Sequence, residues 1–496
     1  MNVLLLYPAF PDTFWSYTHA LWFVGKKAVL PPLGLLTVAA MLPETWNKRL
    51  VDLNVTSLRD PDLQWANMVF ISAMGVQRAA ALELIRRCKS AGKTIVVGGP
   101  LFTAEEAFFD EVDHFVLNEA EITLPPFLAD LQSGTPQRIY RSDQFAPLAS
   151  SPIPQWNLVD SRQYNSMGVQ YSRGCPFACD FCSVTAMLGR TPRGKSSQQV
   201  LAELDALQSS GWRGPVFIVD DNLIGMRKQV TDDLLPAMAR WQKAHGPVPL
   251  QTQVSIDLAD DPHLVQLMCD AGFDTVFIGI ETPDEASLSE CGKRQNTHRD
   301  LAQSVKTLQN AGIEVQGGFI VGFDNDTPAV FQRQIDFIQR TGIVTAMVGL
   351  LQALSGTRLY DRLRQENRLR CDSTGDNADG TTNILPTMGL DPLRQGYARL
   401  LNGIYSPHAY YQRVRTFLRE YHMPPIKTRL DLTQVHAFVR SLFHLGIAGR
   451  ERWQYWFLLG WTLTHRPRLF PKAVRLAICG HHYISISRQY TYHFDI

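Results

Sequence analysis

The sequence has no uncharged apolar run that approaches about 18 residues, the length at which a transmembrane helix becomes a candidate. Its first residues, MNVLLLYPAFPDTFW, lack the basic start and the small-residue cleavage site of a signal peptide and predict a first strand instead. Neither sign of charge is in excess, because 48 lysines and arginines face 47 aspartates and glutamates, for a net charge of +1. That balance argues against a nucleic-acid binder. We therefore expect a cytoplasmic protein without nucleic-acid partners.

Cysteine is also scarce, and eight cysteines among 496 residues are too few for a disulfide scaffold. Five of them are scattered singly, whereas Cys175, Cys179 and Cys182 lie within eight residues. In a reducing compartment, such a cluster indicates metal binding or catalysis. The apolar content of 45%, with 10% aromatics, suffices for large cores and excludes a mainly disordered chain. At roughly 150 residues per domain, the length predicts about three domains.

Residues 1–135 alternate short apolar runs with helical stretches. The pattern predicts five buried strands, at 3–7, 49–52, 68–72, 94–97 and 114–117, with helices at 33–42, 79–90 and 123–131. This alternation is typical of a doubly wound parallel sheet covered by helices on both faces, as in flavodoxin-like and Rossmann-like folds. Ligands of such sheets bind at the carboxyl ends of the strands. There the pair Gly98-Gly99 permits a close approach of a ligand to the backbone, although a simple tight turn explains it equally well.

Residues 136–165 contain several prolines and little periodicity, and they predict a linker. Strand and helix signals resume over residues 166–370, with strands predicted at 168–172, 215–219, 250–255, 275–279, 314–320 and 346–351. Six such units form a partial (β/α)6 barrel that is open on one side, and barrel active sites lie at the carboxyl ends of the strands. The cysteine cluster directly follows the first of these strands. Residues 371–496 are mainly helical and aromatic and predict a third domain that caps the barrel.

The chemistry is concentrated in one motif, YSRGCPFACDFC, which ends at Cys182. The spacing C-x3-C-x2-C places three thiolates on one tight loop, enough for three irons of a four-iron cubane, and leaves the fourth iron open to a small molecule. A zinc site is an alternative, but it requires a fourth ligand. Asp180 has poor geometry for that role, and no histidine follows within about 20 residues. Three unrelated core cysteines are the other alternative.

This motif, placed after a barrel strand, resembles the signature of the radical S-adenosylmethionine (SAM) superfamily. The resemblance implies that Cys175, Cys179 and Cys182 hold a [4Fe-4S] cluster whose open iron chelates SAM. An electron from the cluster, supplied by a donor of the flavodoxin or ferredoxin type, then cleaves SAM to a 5′-deoxyadenosyl radical. The resemblance further implies SAM contacts in the cluster loop and at the barrel strands, namely Phe181, Asp220, Asn222, Glu281 and Gly318.

The parallel domain in front of the barrel resembles the cobalamin-binding class of radical SAM enzymes, the class B methylases. The stretch PPLGLL at 31–36 and Gly98-Gly99-Pro100 carry this resemblance. It implies that cobalamin contacts Met74, Gly75, Val76, Gln77, Gly98, Gly99 and Glu119. The D-x-H-x-x-G motif of other cobalamin proteins is absent, since Asp113 and His114 are adjacent, so we expect cobalt without a protein histidine ligand. A domain that has lost its ligand and only supports the barrel is the alternative.

The segments 211–214 and 219–222 resemble the branch of this family that contains the hopanoid C-2 methylase. The resemblance implies methylation of an unactivated carbon in an apolar small molecule, with polycyclic or isoprenoid lipids as the substrate class. A radical SAM enzyme for cyclisation, C–C bond formation or oxidation remains open, as does a non-enzymatic metal-binding protein.

The carboxyl-terminal segment carries arginines on both sides of the aromatic run 453–461. This pattern suits a membrane interface, but an ordinary core helix with solvated flanks explains it slightly better. From the same segment we expect a mostly apolar substrate pocket, lined partly by residues 385–496, and a peripheral contact with the membrane.

Overall fold

The computed structural model describes residues 1–376, 378–423 and 432–492. The amino-terminal part is a parallel sheet with the strand order β2-β1-β3-β4-β5-β6. Its strands are β1 (Asn2–Tyr7), β2 (Asn47–Asp52), β3 (Met68–Ser72), β4 (Thr94–Gly98), β5 (His114–Val116) and β6 (Ile139–Tyr140). Its helices are α1 (Thr18–Leu21), α2 (Leu33–Met41), α3 (Asp60–Trp65), α4 (Arg78–Ser90), α5 (Pro100–Glu105) and α6 (Ala120–Ser133). The five predicted strands are confirmed, and β6 adds another strand at the start of the segment expected to be a linker.

Helices cover this sheet on both faces, so its central strands are apolar at every position. Leu4 and Leu6 of β1 enter one core, and Val3 and Leu5 enter the other, because successive side chains of a strand point to opposite faces. The chain winds to one side of β1 to form β2 and to the other side to form β3. That reversal opens a crevice at the carboxyl ends of β1 and β3, where such folds bind ligands.

The second part is a parallel sheet in the order β7-β10-β11-β12-β13-β14. Its strands are β7 (Met167–Val169), β10 (Val216–Ile218), β11 (Leu250–Gln253), β12 (Phe273–Glu281), β13 (Glu314–Val321) and β14 (Ala346–Leu350), and a small antiparallel pair is formed by β8 (Ser172–Arg173) and β9 (Arg193–Gly194). The helices are α7 (Val184–Leu188), α8 (Ser197–Ser209), α9 (Arg227–Gln229), α10 (Leu235–His245), α11 (Pro262–Asp270), α12 (Glu285–Glu290), α13 (Leu301–Asn310), α14 (Ala329–Thr341) and α15 (Arg358–Gln365). A π-helical segment, Val230–Leu234, precedes α10. The structure confirms the partial (β/α)6 barrel, which is open between β7 and β14.

The carboxyl-terminal part is helical, as expected. It comprises α16 (Leu390–Tyr405), α17 (Pro407–Glu420), α18 (Leu432–Ser441), the π-helical segment Leu442–Ile447, α19 (Arg452–His465) and α20 (Phe470–Tyr492). These helices share one hydrophobic core with the barrel. The Tyr405 hydroxyl donates to the Ala346 carbonyl at 2.7 Å, and the Tyr397 hydroxyl donates to the Val348 carbonyl at 2.9 Å, so side chains satisfy the edge strand β14. The helices therefore complete the barrel core.

The open side of the barrel is filled from two directions. α20 packs against the segment that follows β1, where the Phe14 ring stacks on Tyr483 with centroids 4.6 Å apart. The adjacent Trp15 reaches into the barrel and meets Phe277 edge to face at 5.4 Å. The closing role expected of the carboxyl-terminal segment is thus shared with residues near the amino terminus. Within the described residues, none of the helices combines the length and the apolar character of a membrane span.

Candidate functional site

The three clustered cysteines lie on the loop after β8, at the carboxyl end of the barrel. Gly174 starts the loop with φ of 94°, and a Cβ there would lie 3.0 to 3.2 Å from three carbonyl oxygens, so glycine is required. The Cys182 amide donates to the Cys179 carbonyl at 3.3 Å, which closes a tight turn. The Asp180 amide donates to the Cys291 carbonyl at 3.0 Å and ties the loop to the segment after α12. The structure thus carries the three cysteines on one short loop.

A positive charge faces these thiols. The Lys293 Nζ lies 2.6 Å from Glu281 Oε1. Burial opposes the charge on Lys293, but Glu281 and the thiols of Cys179 and Cys182 outweigh it and raise the pKa of the lysine. Burial raises the pKa of Cys182 to about 11. Three thiols beside an ammonium group are a donor set suited to anionic thiolate ligation of iron. The residues therefore fit the implied [4Fe-4S] cluster.

Two residues expected to contact SAM also brace the strand ends. The Asp220 carboxylate is fully buried and accepts hydrogen bonds from the amides of Tyr171 at 2.8 Å and Ser172 at 2.7 Å. Burial raises the pKa of Asp220 to about 7, although these hydrogen bonds oppose the shift. The Asn222 side chain accepts from the Ser255 amide at 3.1 Å and so links the ends of β10 and β11. Asp220 thus holds the backbone that leads into the cluster loop. The contact of both side chains with SAM stays a prediction.

The other three expected SAM contacts lie on different elements around the cluster loop. Glu281 ends β12 with φ of 62°, beside an irregularity in the pairing with β13. Phe181 packs in a small apolar cluster, with its ring centroid 6.2 Å from that of Phe323. A Cβ on Gly318 would lie 2.8 Å from Phe277, so this glycine makes room for an aromatic ring inside the barrel. Glu281 is connected to the cysteine loop by its ion pair with Lys293, whereas Gly318 leaves room for the Phe277 ring.

One cavity of about 2860 Å³ joins the three parts of the chain. Its walls are the carboxyl edge of the amino-terminal sheet, the inner face of the barrel and the carboxyl-terminal helices, and most of its surface is apolar. Pockets for one small molecule measure about 300–1,000 Å³, so this cavity has room for several ligands side by side. The expected lining from residues 385–496 is confirmed, with Tyr421, Phe438, Phe470, Val474, Ile478 and Tyr483 among its members.

The cavity meets the amino-terminal sheet at the crevice between β1 and β3. Five of the residues expected to contact cobalamin line it: Met74, Val76, Gly98, Gly99 and Glu119. Gly75 and Gln77 do not, although they belong to the same loop. The buried Gln77 side chain donates to the Pro8 carbonyl at 2.6 Å and accepts from the Met74 amide at 2.9 Å, so it shapes the loop from behind.

The glycine pair forms part of the cavity wall. A Cβ on Gly98 would lie 2.6 Å from the Val116 carbonyl oxygen. Gly99 has φ of 92°, and a Cβ there would crowd the Ser72 hydroxyl at 2.5 Å. Glycine is therefore required at both positions by the neighbouring protein atoms, and the backbone of the pair lines the cavity. Among the described residues 1–135 that line the cavity there is no histidine, and the cradle fits a corrin without a protein nitrogen on cobalt.

Ion pairs join the cluster loop to the amino-terminal domain. The Arg173 guanidinium donates to both carboxylate oxygens of Glu121, at 3.0 and 2.8 Å. The Arg193 guanidinium holds Glu119 in the same way, at 3.0 and 2.7 Å. The two glutamates begin α6, at the carboxyl end of β5, and the two arginines lie on β8 and β9. These pairs fix the cysteine loop relative to the edge of the sheet that carries the glycine pair.

The sequence interpretation missed these arginines, Glu121, Lys293 and Asp221. Asp221 lines the cavity beside the cluster loop, and burial raises its pKa to about 6. Arg173 stands in the cysteine motif itself, but its partner Glu121 lies 52 positions earlier in the chain. No local signal existed for Lys293, which follows Cys182 by more than a hundred residues.

Comparison with protein families divides the chain in a way that agrees with this architecture. A B12 binding domain model matches residues 26–128, a radical SAM superfamily model matches residues 169–338, and a domain of unknown function (DUF4070) matches residues 357–494. The matches cover the crevice, the cysteine loop and the carboxyl-terminal helices in turn.

Two relatives align over nearly the whole chain. An uncharacterized methyltransferase of Synechocystis is 41% identical over 493 residues, which cover 98% of this chain and 91% of that protein. The hopanoid C-2 methylase of Rhodopseudomonas palustris is 31% identical over 469 residues, which cover 92% of this chain and 88% of that protein. A solved structure of the cobalamin-dependent SAM radical enzyme OxsB, with aqua-cobalamin and SAM bound, is similar in fold, with a TM-score of 0.63 at 15% identity, covering 100% of this chain and 80% of that one.

Proposed function

Because this chain belongs to the family of cobalamin-dependent radical SAM methyltransferases, we propose that it methylates an unactivated carbon of an apolar small molecule, of the polycyclic or isoprenoid lipid class. When bound, the [4Fe-4S] cluster, SAM and cobalamin supply the radical chemistry and the methyl group. The protein's residues hold these groups in line and keep water out. We assign the cluster to Cys175, Cys179 and Cys182, and the electron donor to the flavodoxin or ferredoxin type.

The cavity that joins the three parts of the chain carries this proposal. One substrate carbon has to meet both reacting cofactors, so their sites have to open into one space. The cavity extends from the cobalamin crevice to Asp221, which lies beside the cysteine loop, although the three cysteines and the five expected SAM contacts are not among its lining residues. Aromatic and aliphatic side chains line the cavity, including Trp15, Phe277 and Ile478, and suit a hydrocarbon skeleton better than a charged molecule. The relative named for a hopanoid supports the lipid class.

We further infer that each of the four segments delimited in the sequence has its own role. Residues 1–135 bind cobalamin, residues 136–165 connect, residues 166–370 bind the cluster and SAM, and residues 371–496 complete the substrate wall. The bidentate pairs of Arg173 and Arg193 position the first and third of these parts against each other.

The test is an anaerobic assay of the reconstituted holoenzyme with a polycyclic isoprenoid lipid and SAM that carries a deuterated methyl group. Product with the labelled methyl group, together with 5′-deoxyadenosine, is the expected outcome. The Cys179→Ala variant is the control and is expected to yield neither. A product that has lost hydrogen or formed a ring without gaining a labelled methyl would overturn methylation. Labelled product from polar substrates alone would overturn the lipid class.

A further inference from the structure

Large apolar side chains are exposed along one short stretch of the carboxyl-terminal helices. Among the described residues, nine exposed large hydrophobic side chains fall between positions 432 and 463, here called the outer stripe: Leu432, Val435, Val439, Phe443, Ile447, Trp453, Trp456, Phe457 and Leu463. Trp453 is 73% exposed and Phe443 is 63% exposed. Concentrated patches of this kind mark interaction surfaces in soluble proteins.

The outer stripe lies on one side of two helices. Its members in α18 and the following π-helical segment repeat at intervals of three or four residues, so they share a helix face. Those in α19 lie at 453, 456, 457 and 463, again on one face. The Trp456 indole donates to the Gly446 carbonyl at 2.9 Å and joins the two parts. The other side of α19 is buried through Tyr455, Leu458 and Leu459, so the fold does not need the outer side chains for its core.

The charge around the outer stripe has one sign. Residues 432–468 contain five arginines and one acidic residue, Glu451. Lys472 and Arg475, which follow, are paired with Glu314. Glu451 is paired with Arg488 at 2.7 Å. Arg440 lies over the Trp22 ring at 5.2 Å, and Arg452 lies over the Trp453 ring at 5.9 Å. Tryptophan and phenylalanine interleaved with arginine match the interface of an anionic bilayer, where rings enter the headgroup layer and guanidinium groups meet phosphates.

The outer stripe is continuous with the wall of the cavity. Thr433, Gln434, Val435 and Phe438 of α18 line the cavity, and Val435 belongs to both surfaces. α18 therefore has the cavity on one side and the exposed apolar face on the other. An apolar molecule at the outer stripe therefore has only α18 between it and the cavity.

We propose that the outer stripe docks on the surface of an anionic phospholipid bilayer and that the substrate enters the cavity from that bilayer past α18. The delivery step rests on the proposed function, whereas docking does not, because vesicle binding requires neither substrate nor turnover. The surrounding arginines select anionic over neutral lipid.

The experiment measures co-flotation of the holoenzyme with vesicles of phosphatidylcholine, with and without about 30% phosphatidylglycerol. The test variant is Phe443→Ser/Trp453→Ser, two exposed members of the outer stripe that do not line the cavity. The matched control is Phe108→Ser/Ile139→Ser, which changes two exposed apolar side chains of the amino-terminal domain. We expect the parent and the control to float with anionic vesicles, and the test variant to bind at least about tenfold more weakly.

A charge variant and a turnover assay complete the test. Arg450→Gln/Arg452→Gln is expected to lose most of the preference for anionic vesicles, as does the parent when salt shortens the Debye length from about 10 to about 3 Å. With substrate in vesicles the Phe443→Ser/Trp453→Ser variant turns over slowly, and with detergent-dispersed substrate it matches the parent. Equal vesicle binding by parent and test variant overturns the proposal. A second result also overturns the proposal. If sedimentation shows that the parent is a dimer, that the variant is a monomer and that neither binds vesicles, the outer stripe is a contact between two copies of the chain. Vesicle binding without turnover in any lipid overturns the proposed function and leaves docking intact.

Discussion

Replacing Arg173 by methionine will separate SAM cleavage from methyl transfer. Arg173 lies two residues before Cys175, and its guanidinium holds the Glu121 carboxylate in a bidentate pair on the first turn of α6. The pair connects the cluster loop to the domain that carries the cobalamin crevice. Without it, the cluster loop still folds around its own backbone hydrogen bonds, but its distance from the crevice is no longer fixed. Small misplacements of reacting groups, near 1 Å, reduce rates by about a hundredfold.

The energetic cost follows from burial. The Arg173 side chain is 14% exposed and that of Glu121 only 3%. Removal of one partner from a buried pair costs about 3–5 kcal/mol, because the remaining charge is left without compensation. Burial raises the pKa of Glu121, but Arg173 outweighs it and the net shift is downward. A carboxylate whose pKa is lowered in the folded state stabilises the fold at pH values above the usual glutamate pKa. This stabilisation is lost as the pH falls through the folded-state pKa. In Arg173→Met that contribution disappears and Glu121 favours its protonated form.

The assay is a double-mutant cycle on the anaerobic holoenzyme, with the ratio of 5′-deoxyadenosine to methylated product and the thermal midpoint as readouts. Glu121→Gln/Arg173→Met is expected to recover most of the stability that Arg173→Met loses, but not the coupling of the two reactions. Arg299→Met is the matched control, since Arg299 holds Asp260 bidentately at the surface, at 3.0 and 2.8 Å. Its effect on stability is expected to stay below about 1 kcal/mol. An unchanged product ratio in Arg173→Met would refute the positioning role, and an unchanged midpoint would refute the argument from burial.

Three further outcomes are expected from the site. SAM cleavage is abolished and the iron content falls in each of the variants Cys175→Ala, Cys179→Ala and Cys182→Ala, whereas Cys291→Ala keeps about four irons per chain. An equal loss of iron in Cys291→Ala would contradict ligation by three cysteines. Electron paramagnetic resonance of the cob(II)alamin form will show no superhyperfine splitting from an axial nitrogen, and such splitting would be evidence against the histidine-free cradle. Because burial raises the pKa of Asp220 to about 7 from 3.8, its stabilising contribution is lost as the pH rises between those values. Between pH 5 and 7, the free energy of unfolding of Asp220→Asn, measured from thermal midpoints, should therefore rise by roughly 2–3 kcal/mol relative to that of the parent. A difference between variant and parent that does not change with pH would disprove the raised pKa.

The sequence by itself determined the local features of this protein. The three cysteines assigned to the cluster were recognisable because they lie within eight residues, so one loop carries them whatever the rest of the chain does. The parallel sheets were predictable because strands buried on both faces are apolar at every position, as Val3 to Leu6 are. The glycine pair was predictable because a close backbone approach excludes other residues. In each case the residues that cause the feature are close together in the sequence, so a short stretch of sequence is enough to predict it.

Tertiary structure decided whatever depends on partners far apart in the chain. The sequence shows Asp220 only as a carboxylate at a strand end, and the structure adds that it accepts hydrogen bonds from the Tyr171 and Ser172 amides. The pairing of Glu121 with Arg173 and of Lys293 with the cysteine loop arises only when distant segments meet. Helical periodicity placed the aromatic side chains of α19 on faces, but only packing determined that Tyr455 is covered and Trp453 is not. Burial depends on the three-dimensional neighbours of a face, and no window of sequence contains them.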